Sequence, residues 1–391
     1  MEEQLARGPM DLPFLMLVLL LTGIGLVTVF SASFATAINE GRSATYYFER
    51  QALFAVAGVV IMYITSKINY QQFRWMSVFA MAFAMGLLVL VLIPGFHTNR
   101  SDGVLRWMKL GPLTFQPSEV MKLAVILYFS ARMSKRSSEK HKQYDTRTLK
   151  GMALERLDHS GFLELIPYAV ILLVIMVLMK LEQHMSGTIL ILVPAAAILF
   201  AGGVKLGWFG VGGVGVVGLL LAFMSTSSYQ TGRIDIWRNP EAHHRDGGYQ
   251  ILQSLYAIGS GGLFGVGFGQ SRQKYLFLPE PENDFIFSIW CEEMGLVGAC
   301  VVLALFALLI VRGYWIAIHA RDRFGSLLVV GVTTLMAVQT FLNIAVVTNL
   351  LPTTGISLPF FSYGGTALLI QLVEMGIVLS VSRQIPAAKQ G

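Results

Sequence analysis

Three carboxylates stand out in the stretch from Gln273 to Gly295, QKYLFLPEPENDFIFSIWCEEMG. A polar, proline-broken approach (Leu278-Pro279-Glu280-Pro281-Glu282-Asn283) leads to Asp284 at the mouth of an apolar run, and Glu292 and Glu293 lie inside that run. An acid in an apolar segment costs free energy unless it is paired, hydrogen-bonded or wetted. At the mouth, a carboxylate can act as a general base toward a hydroxyl that reaches it, or can simply cap the helix. At about 100° per residue, Glu292 projects within about 80° of Asp284 and about 12 Å deeper, whereas Glu293 points almost opposite. The two glutamates are therefore expected to serve different neighbours through structural polar contacts, with Gln371 and Glu374 as candidate partners. Asp284 is the acid expected where water and a lipid head group both reach.

Cations fall on the same expected side as Asp284: Arg106, Lys109, Arg233, Arg238, Arg272 and Lys274. A lipid diphosphate is an anion that would explain them, since guanidinium and ammonium groups recognise phosphate oxygens. Glu119 and Lys122 are spaced to neutralise each other on one helix face, with anion binding by Lys122 as the second possibility. Other constellations are weaker. Gly265-Val266-Gly267-Phe268-Gly269 lacks the spacing and strand–helix context of a phosphate loop and is expected to be a flexible turn packed near the membrane. His243 and His244, near Asp246, are adjacent loop residues and no evidence of a metal site. Cys291 and Cys300 are about 13 Å apart along one helix, too far to bridge, and are expected to be buried packing residues.

The elements that position these groups are membrane helices. The chain is 54% hydrophobic and 13% charged, against about 25% charged in soluble domains, which excludes an ordinary soluble enzyme. Apolar runs long enough to span occur at about 12–32, 51–66, 75–95, 118–133, 163–181, 187–204, 206–226, 284–311, 326–350 and 363–381, ten in all. The small residues Ser31-Ala32-Ser33 resemble a cleavage site, but the long apolar run, the acidic head (Glu2, Glu3, Asp11 against Arg7) and the spans that follow argue for an uncleaved first span. A cytoplasmic N-terminus places most Lys and Arg inside, so both termini are expected in the cytoplasm. The fold class is thus an all-α polytopic membrane protein, one domain over 1–391, with a basic cytoplasmic loop at 134–162. A large extracellular loop at 227–283 joins spans seven and eight. Within it, Ile251, Leu252, Leu255 and Ile258 recur at helical spacing, predicting a short amphipathic helix on the membrane surface. The glycine-rich seventh span (Gly207, Gly210, Gly212, Gly213, Gly215, Gly218) predicts close helix packing.

Ordered motifs along nearly the whole chain resemble the SEDS family (shape, elongation, division and sporulation; FtsW, RodA and SpoVE), its division and sporulation branch above all. They include Arg106-Trp107, Gln116-Pro117-Ser118-Glu119 with Lys122, and Gly248-Tyr249-Gln250. They continue with Gln273-Lys274, Leu278-Pro279-Glu280, Asp284-Phe285-Ile286-Phe287, Glu292-Glu293-Met294-Gly295, Asn343, Pro352-Thr353-Thr354-Gly355 and Leu358-Pro359-Phe360-Phe361-Ser362-Tyr363-Gly364-Gly365. Two motifs depart. The family's Gln-Pro-Asp-x-Gly-Thr reads Glu182-Gln183-His184-Met185-Ser186-Gly187-Thr188 here, so that Asp's role cannot be transferred. Its Tyr-Arg-x-x-Arg reads Tyr229-Gln230 with only Arg233 kept.

The resemblance implies a peptidoglycan glycosyltransferase of the bacterial cytoplasmic membrane. It would polymerise lipid II at the outer face beside a class B penicillin-binding protein transpeptidase and divisome or sporulation proteins, with no nucleic-acid partner. It implies Asp284 as the catalytic residue and an inverting displacement, and Arg106, Lys122, Arg233, Lys274, Gln273 and Ser362 as substrate-binding candidates. No cofactor is expected beyond a divalent cation that would sit at the diphosphate, for which no ligand cluster stands in the sequence. A lipid II transporter and a scaffold for a cell-wall synthase are the alternatives.

Overall fold

A computed structural model describes residues 8–97, 105–110, 113–136, 162–225, 228–244 and 247–385. Glu2, Glu3, Arg7, Arg100, Arg245, Asp246, Lys389 and most of the basic 134–162 stretch lie outside the described residues. All ten apolar segments are helical. They are α1 (Leu12–Asn39), α2 (Tyr46–Lys67), α3 (Gln71–Val91), α4 (Pro117–Lys135), α5 (Phe162–Leu181), α6 (Met185–Ala201) and α7 (Leu206–Ser225), then, after α8 (Ser228–Arg238) and α9 (Gly248–Ser260), α10 (Ile286–His319), α11 (Arg323–Val347) and α12 (Gly365–Ser382). Seven of them (α1, α2, α3, α5, α10, α11 and α12) are long and apolar enough to cross a membrane, which makes the chain a multi-pass membrane protein. Of the other three, α4 carries Glu119, Lys122, Arg132 and Lys135, α6 has only 17 residues, and α7 is a glycine-rich apolar helix of 20 residues. Among the described residues the only strands are two short ones. Strands β1 (Met108–Leu110) and β2 (Leu113–Phe115) form an antiparallel hairpin just before α4, pairing Met108 with Phe115 and Lys109 with Thr114. It is too short to leave an apolar-run signature.

The chain divides into two compact units. The first comprises Met1–Asn69, Met224–Arg321 and Val332–Gly391; the second comprises Tyr70–Phe223 and Asp322–Gly331. In the first unit α1 packs on α2 and α10, α2 on α12, and α9 on α10. Asp11 caps α1, accepting from the Phe14 N–H at 2.9 Å, with Pro13 in the first turn where its missing N–H is harmless. The same carboxylate takes Arg312 near the far end of α10 at 2.7 Å, tying the two helices together at that end. In the second unit α3 packs on α4, α4 on α6, and α5 on α6.

Three expectations change here. The glycines of α7 do not mark close packing: among the described residues nothing lies within 4 Å of where a Cβ would stand at any of the six. The predicted amphipathic helix exists as α9, but it buries Ile251, Leu252, Gln253, Ser254 and Ala257 against the protein instead of lying free on a surface. Ser254 hydrogen-bonds Ser288 of α10 at 2.7 Å and the Val347 carbonyl of α11 at 2.7 Å. Cys291 is buried as expected, whereas Cys300 is exposed.

Candidate active site

α10 is not continuous. Gly295 sits at φ 66 and ψ −167, which breaks the helix and releases the hydrogen-bonding groups on either side. The glycine-rich segment after α9 fills the break. Val266 N–H donates to the Glu292 carbonyl at 3.0 Å and Gly267 N–H to the Glu293 carbonyl at 3.1 Å, while Leu296 and Val297 N–H groups donate to the Gly262 and Leu263 carbonyls at 2.9 and 3.1 Å. Only glycine fits at the crossing. A Cβ on Gly265, where φ is +81, would lie 2.1 Å from the Glu293 carbonyl oxygen, and one on Gly295 would lie 2.3 Å from the Gly265 nitrogen. Gly261–Phe268 is therefore a wedge set into a broken helix, not the flexible turn expected of Gly265–Gly269.

The wedge turns the chain back so that Ser271–Lys274 passes over both glutamates. Glu292 accepts from Arg272 N–H at 3.0 Å, Gln273 N–H at 3.3 Å and the Ser271 hydroxyl. Glu293 accepts from the Ser31 hydroxyl of α1 at 2.6 Å, Lys274 Nζ at 3.0 Å and Ser271 N–H at 3.3 Å. The helical wheel sent these acids to different neighbours; they converge on one segment because that segment wraps the helix. Both are buried, as is Lys274, whose ammonium also donates to Ser31 Oγ at 3.0 Å and the Gly269 carbonyl at 2.7 Å. Gln371, named above as a candidate partner, instead accepts from the Phe360 N–H at 3.1 Å.

Asp284 is treated differently. α10 begins at Ile286 with Phe285 in the capping position and no side-chain cap, so the Asp284 carboxylate does not cap the helix. The residue is half-exposed. Its place is fixed through its backbone: buried Asn343 of α11 donates from Nδ2 to the Asp284 carbonyl at 2.8 Å and to the Ile356 carbonyl at 2.7 Å. Asp284 Oδ2 faces Gly355, where a Cβ would stand 3.3 Å away. Arg233 of α8 donates to the Thr353 carbonyl at 2.7 Å, so Arg233 and Asp284 border the same Thr353–Ile356 segment. Trp237, one turn on, secures α8 through the Asn349 carbonyl at 3.1 Å.

Two residues before Asp284, Glu282 is buried, with the Thr36 hydroxyl 3.4 Å from its carboxylate. Burial pushes its carboxyl up to about 7. Its carbonyl accepts from Tyr363 N–H at 2.8 Å, joining the approach to Asp284 to the Leu358–Gly365 turn. Ser362 belongs to that turn: its hydroxyl accepts from Leu358 N–H at 2.7 Å and its carbonyl accepts from Gln51 at 3.1 Å. Gln273 is half-buried, and its amide oxygen has no hydrogen-bond partner among the described residues.

Arg106 and Lys122 belong to the second unit, in a polar cluster of their own. Lys122 pairs with Glu119 at 2.7 Å, both largely buried, as the spacing predicts. Arg106 donates to the Gln183 carbonyl, and Gln116 contacts the ring nitrogens of His184 at 3.2 and 3.3 Å. Burial, then the charges of Arg106 and Lys122, hold His184 well below the usual imidazole range, so it is neutral. Burial likewise lifts Glu182 to about 8, consistent with a carboxyl that has no hydrogen-bond partner among the described residues. These two occupy the stretch where the sequence departs from the family motif.

Sequence reasoning missed the roles of Ser31, Ser271, Asn343 and Glu282. A polar Asn inside an apolar helix was the available signal for Asn343. Ser31 looked like part of a cleavage site. Among the described residues no three His, Cys, Asp or Glu side chains converge as a metal-binding group.

The family model FTSW_RODA_SPOVE, described as cell cycle protein, matches residues 11–386. The chain is 40% identical over 373 residues to "Stage V sporulation protein E" of Bacillus subtilis, covering 95% of this chain and 97% of that one. It is 36% identical over 378 residues to "Probable peptidoglycan glycosyltransferase FtsW" of Trichlorobacter lovleyi, covering 97% and 94% respectively. The fold matches a chain in a solved structure described as "Structural coordination of polymerization and crosslinking by a peptidoglycan synthase complex". The TM-score is 0.73 at 24% identity, over 96% of this chain and 98% of that one. A match over nearly the whole chain, carried by relatives this similar, makes the chain a member of the FtsW, RodA and SpoVE family of cell cycle proteins.

Proposed function

We propose that the chain is a peptidoglycan glycosyltransferase that polymerises lipid II at the outer face of the bacterial cytoplasmic membrane. The observation that carries this reading is the contrast along α10: Asp284 is half-buried at its head, with Oδ2 beside Gly355 and its carbonyl held by Asn343, while Glu292 and Glu293 are fully buried inside the helix. In this reading all ten long helical segments cross the membrane, both termini are cytoplasmic, and 227–283 lies on the outer side. A hydroxyl of one glycan attacks the anomeric carbon of another and a polyprenyl diphosphate leaves in a single inverting displacement. Asp284 takes the hydroxyl proton as the bond forms. Charge develops on the leaving diphosphate and needs cations. Arg233, beside the Thr353–Ile356 segment, is the first candidate, and the family resemblance also names Arg106. Gln273 and Ser362 orient the substrate chiefly through the segments they hold. Lys274 and Lys122 are left out, because their ammonium groups are already committed to buried ion pairs with Glu293 and Glu119.

A class B penicillin-binding protein is the partner in this reading, which the likeness to a chain of a peptidoglycan synthase complex supports, with division or sporulation proteins around it. Purified protein given labelled lipid II, with and without a cognate transpeptidase, tests the activity. Glycan from wild type and none from Asp284→Asn is the expected result. Lipid II flipping in proteoliposomes with no polymer, even beside the partner, would replace the enzyme by a transporter.

A further inference from the structure

We propose that the wedge Gly261–Phe268 is a membrane anchor whose apolar side chains enter the acyl-chain layer beside α10. The segment carries large side chains that find no cover: Phe264 is 80% exposed and Leu263 61%, with Val266 and Phe268 exposed as well. Yet its backbone is not that of a water-borne loop. The carbonyls of Gly262 and Leu263 and the N–H groups of Val266 and Gly267 are paired with the broken α10, and Gly265 N–H bonds the Gly261 carbonyl at 2.8 Å. Irregular backbone enters a bilayer only when its polar groups are satisfied in this way.

Depth follows from the helix itself. Arg312, paired with Asp11, marks one end of the α1–α10 pair. Leu296, which bonds the wedge, lies about 24 Å along the helix from it, inside a hydrocarbon core about 30 Å thick. Between these points Leu296, Val297, Val301, Leu308 and Val311 are exposed along one face of α10. That face belongs to a helix apolar and long enough to span, so lipid covers it, and Leu263 and Phe264 extend it at the level of Leu296 and Val297. Continuity with a lipid-facing surface selects acyl chains as the occupant over a partner protein. The inference rests on α10 as a span and is independent of the enzymatic reading.

Site-directed spin labelling of the full chain in bilayers tests it. In a Cys291→Ala, Cys300→Ala background, labels at Phe264→Cys and Phe268→Cys are compared with Val301→Cys on the exposed face of α10 and Glu241→Cys in the exposed turn before α9. The expected result is oxygen collision well above nickel-chelate collision at both wedge sites, matching position 301 and several-fold different from position 241. Nickel accessibility like that at 241 would place the wedge in water. Low accessibility to both reagents would mean that protein covers it. Either overturns the anchor.

Discussion

Asp284 and the pair Glu292–Glu293 occupy one stretch of chain, and the fold treats them in opposite ways. The glutamates are sealed inside α10 with their oxygens occupied by Ser31 and by Ser271–Lys274. Asp284 stands at the head of the helix, half-buried, with its carbonyl held by Asn343. Acids that build a fold are fully buried and surrounded, whereas the acid proposed for chemistry keeps part of its surface accessible. The glycines repeat the lesson. Gly261 and Gly265 of the wedge stand against backbone atoms of α10, whereas the glycines of α7 meet nothing within 4 Å. Residue type alone did not distinguish either pair of cases.

Breaking the sealed side of the comparison should cost the most. Glu293→Leu leaves the Lys274 ammonium buried without its carboxylate, and a loss of about 3–5 kcal/mol is expected in thermal or denaturant unfolding. The double variant Glu293→Leu, Lys274→Met should recover most of it, because an apolar pair replaces the ion pair.

Glu282 sharpens the comparison as a fully buried acid next to the half-buried one. Its folded-state value of about 7 lies above the ordinary 4.5, so the folded protein binds the proton more tightly. Stability contributed by this group is therefore present below the ordinary value and is lost as pH rises toward about 7, by about 3 kcal/mol at most. Glu282→Gln should flatten that part of the pH–stability curve, measured by unfolding across the window.

The smallest effects separate the glycines. Gly265→Ala drives a methyl into the Glu293 carbonyl at a positive φ and should destabilise by about 1–3 kcal/mol. Gly213→Ala, in open space on α7, should be neutral or stabilising by up to about 1 kcal/mol, since Ala is the better helix former. Melting temperatures of the two variants make the test.

The helices were legible because apolar length is a strong signal, and each of the ten segments is helical. Asp284 at the head of α10 and the Glu119–Lys122 pair followed from position and spacing alone. The break at Gly295 did not, because a lone glycine in an apolar run costs a helix only about 1 kcal/mol and rarely signals a stop. Convergence of Glu292 and Glu293 was hidden for the same reason: a helical wheel knows nothing of a distant segment that enters the break and wraps both faces. The cluster of Glu182 and His184 was also illegible, since its burial depends on packing among α4, the turn between α5 and α6, and Arg106.

The central claim is that Asp284 works in chemistry while Glu292 and Glu293 work in the fold. Its most direct test is lipid II polymerisation by Asp284→Asn beside its unfolding midpoint, in one preparation. The expected outcome is activity reduced by about 10²–10⁴-fold with the midpoint unchanged. Wild-type polymerisation by a folded Asp284→Asn protein would contradict the claim.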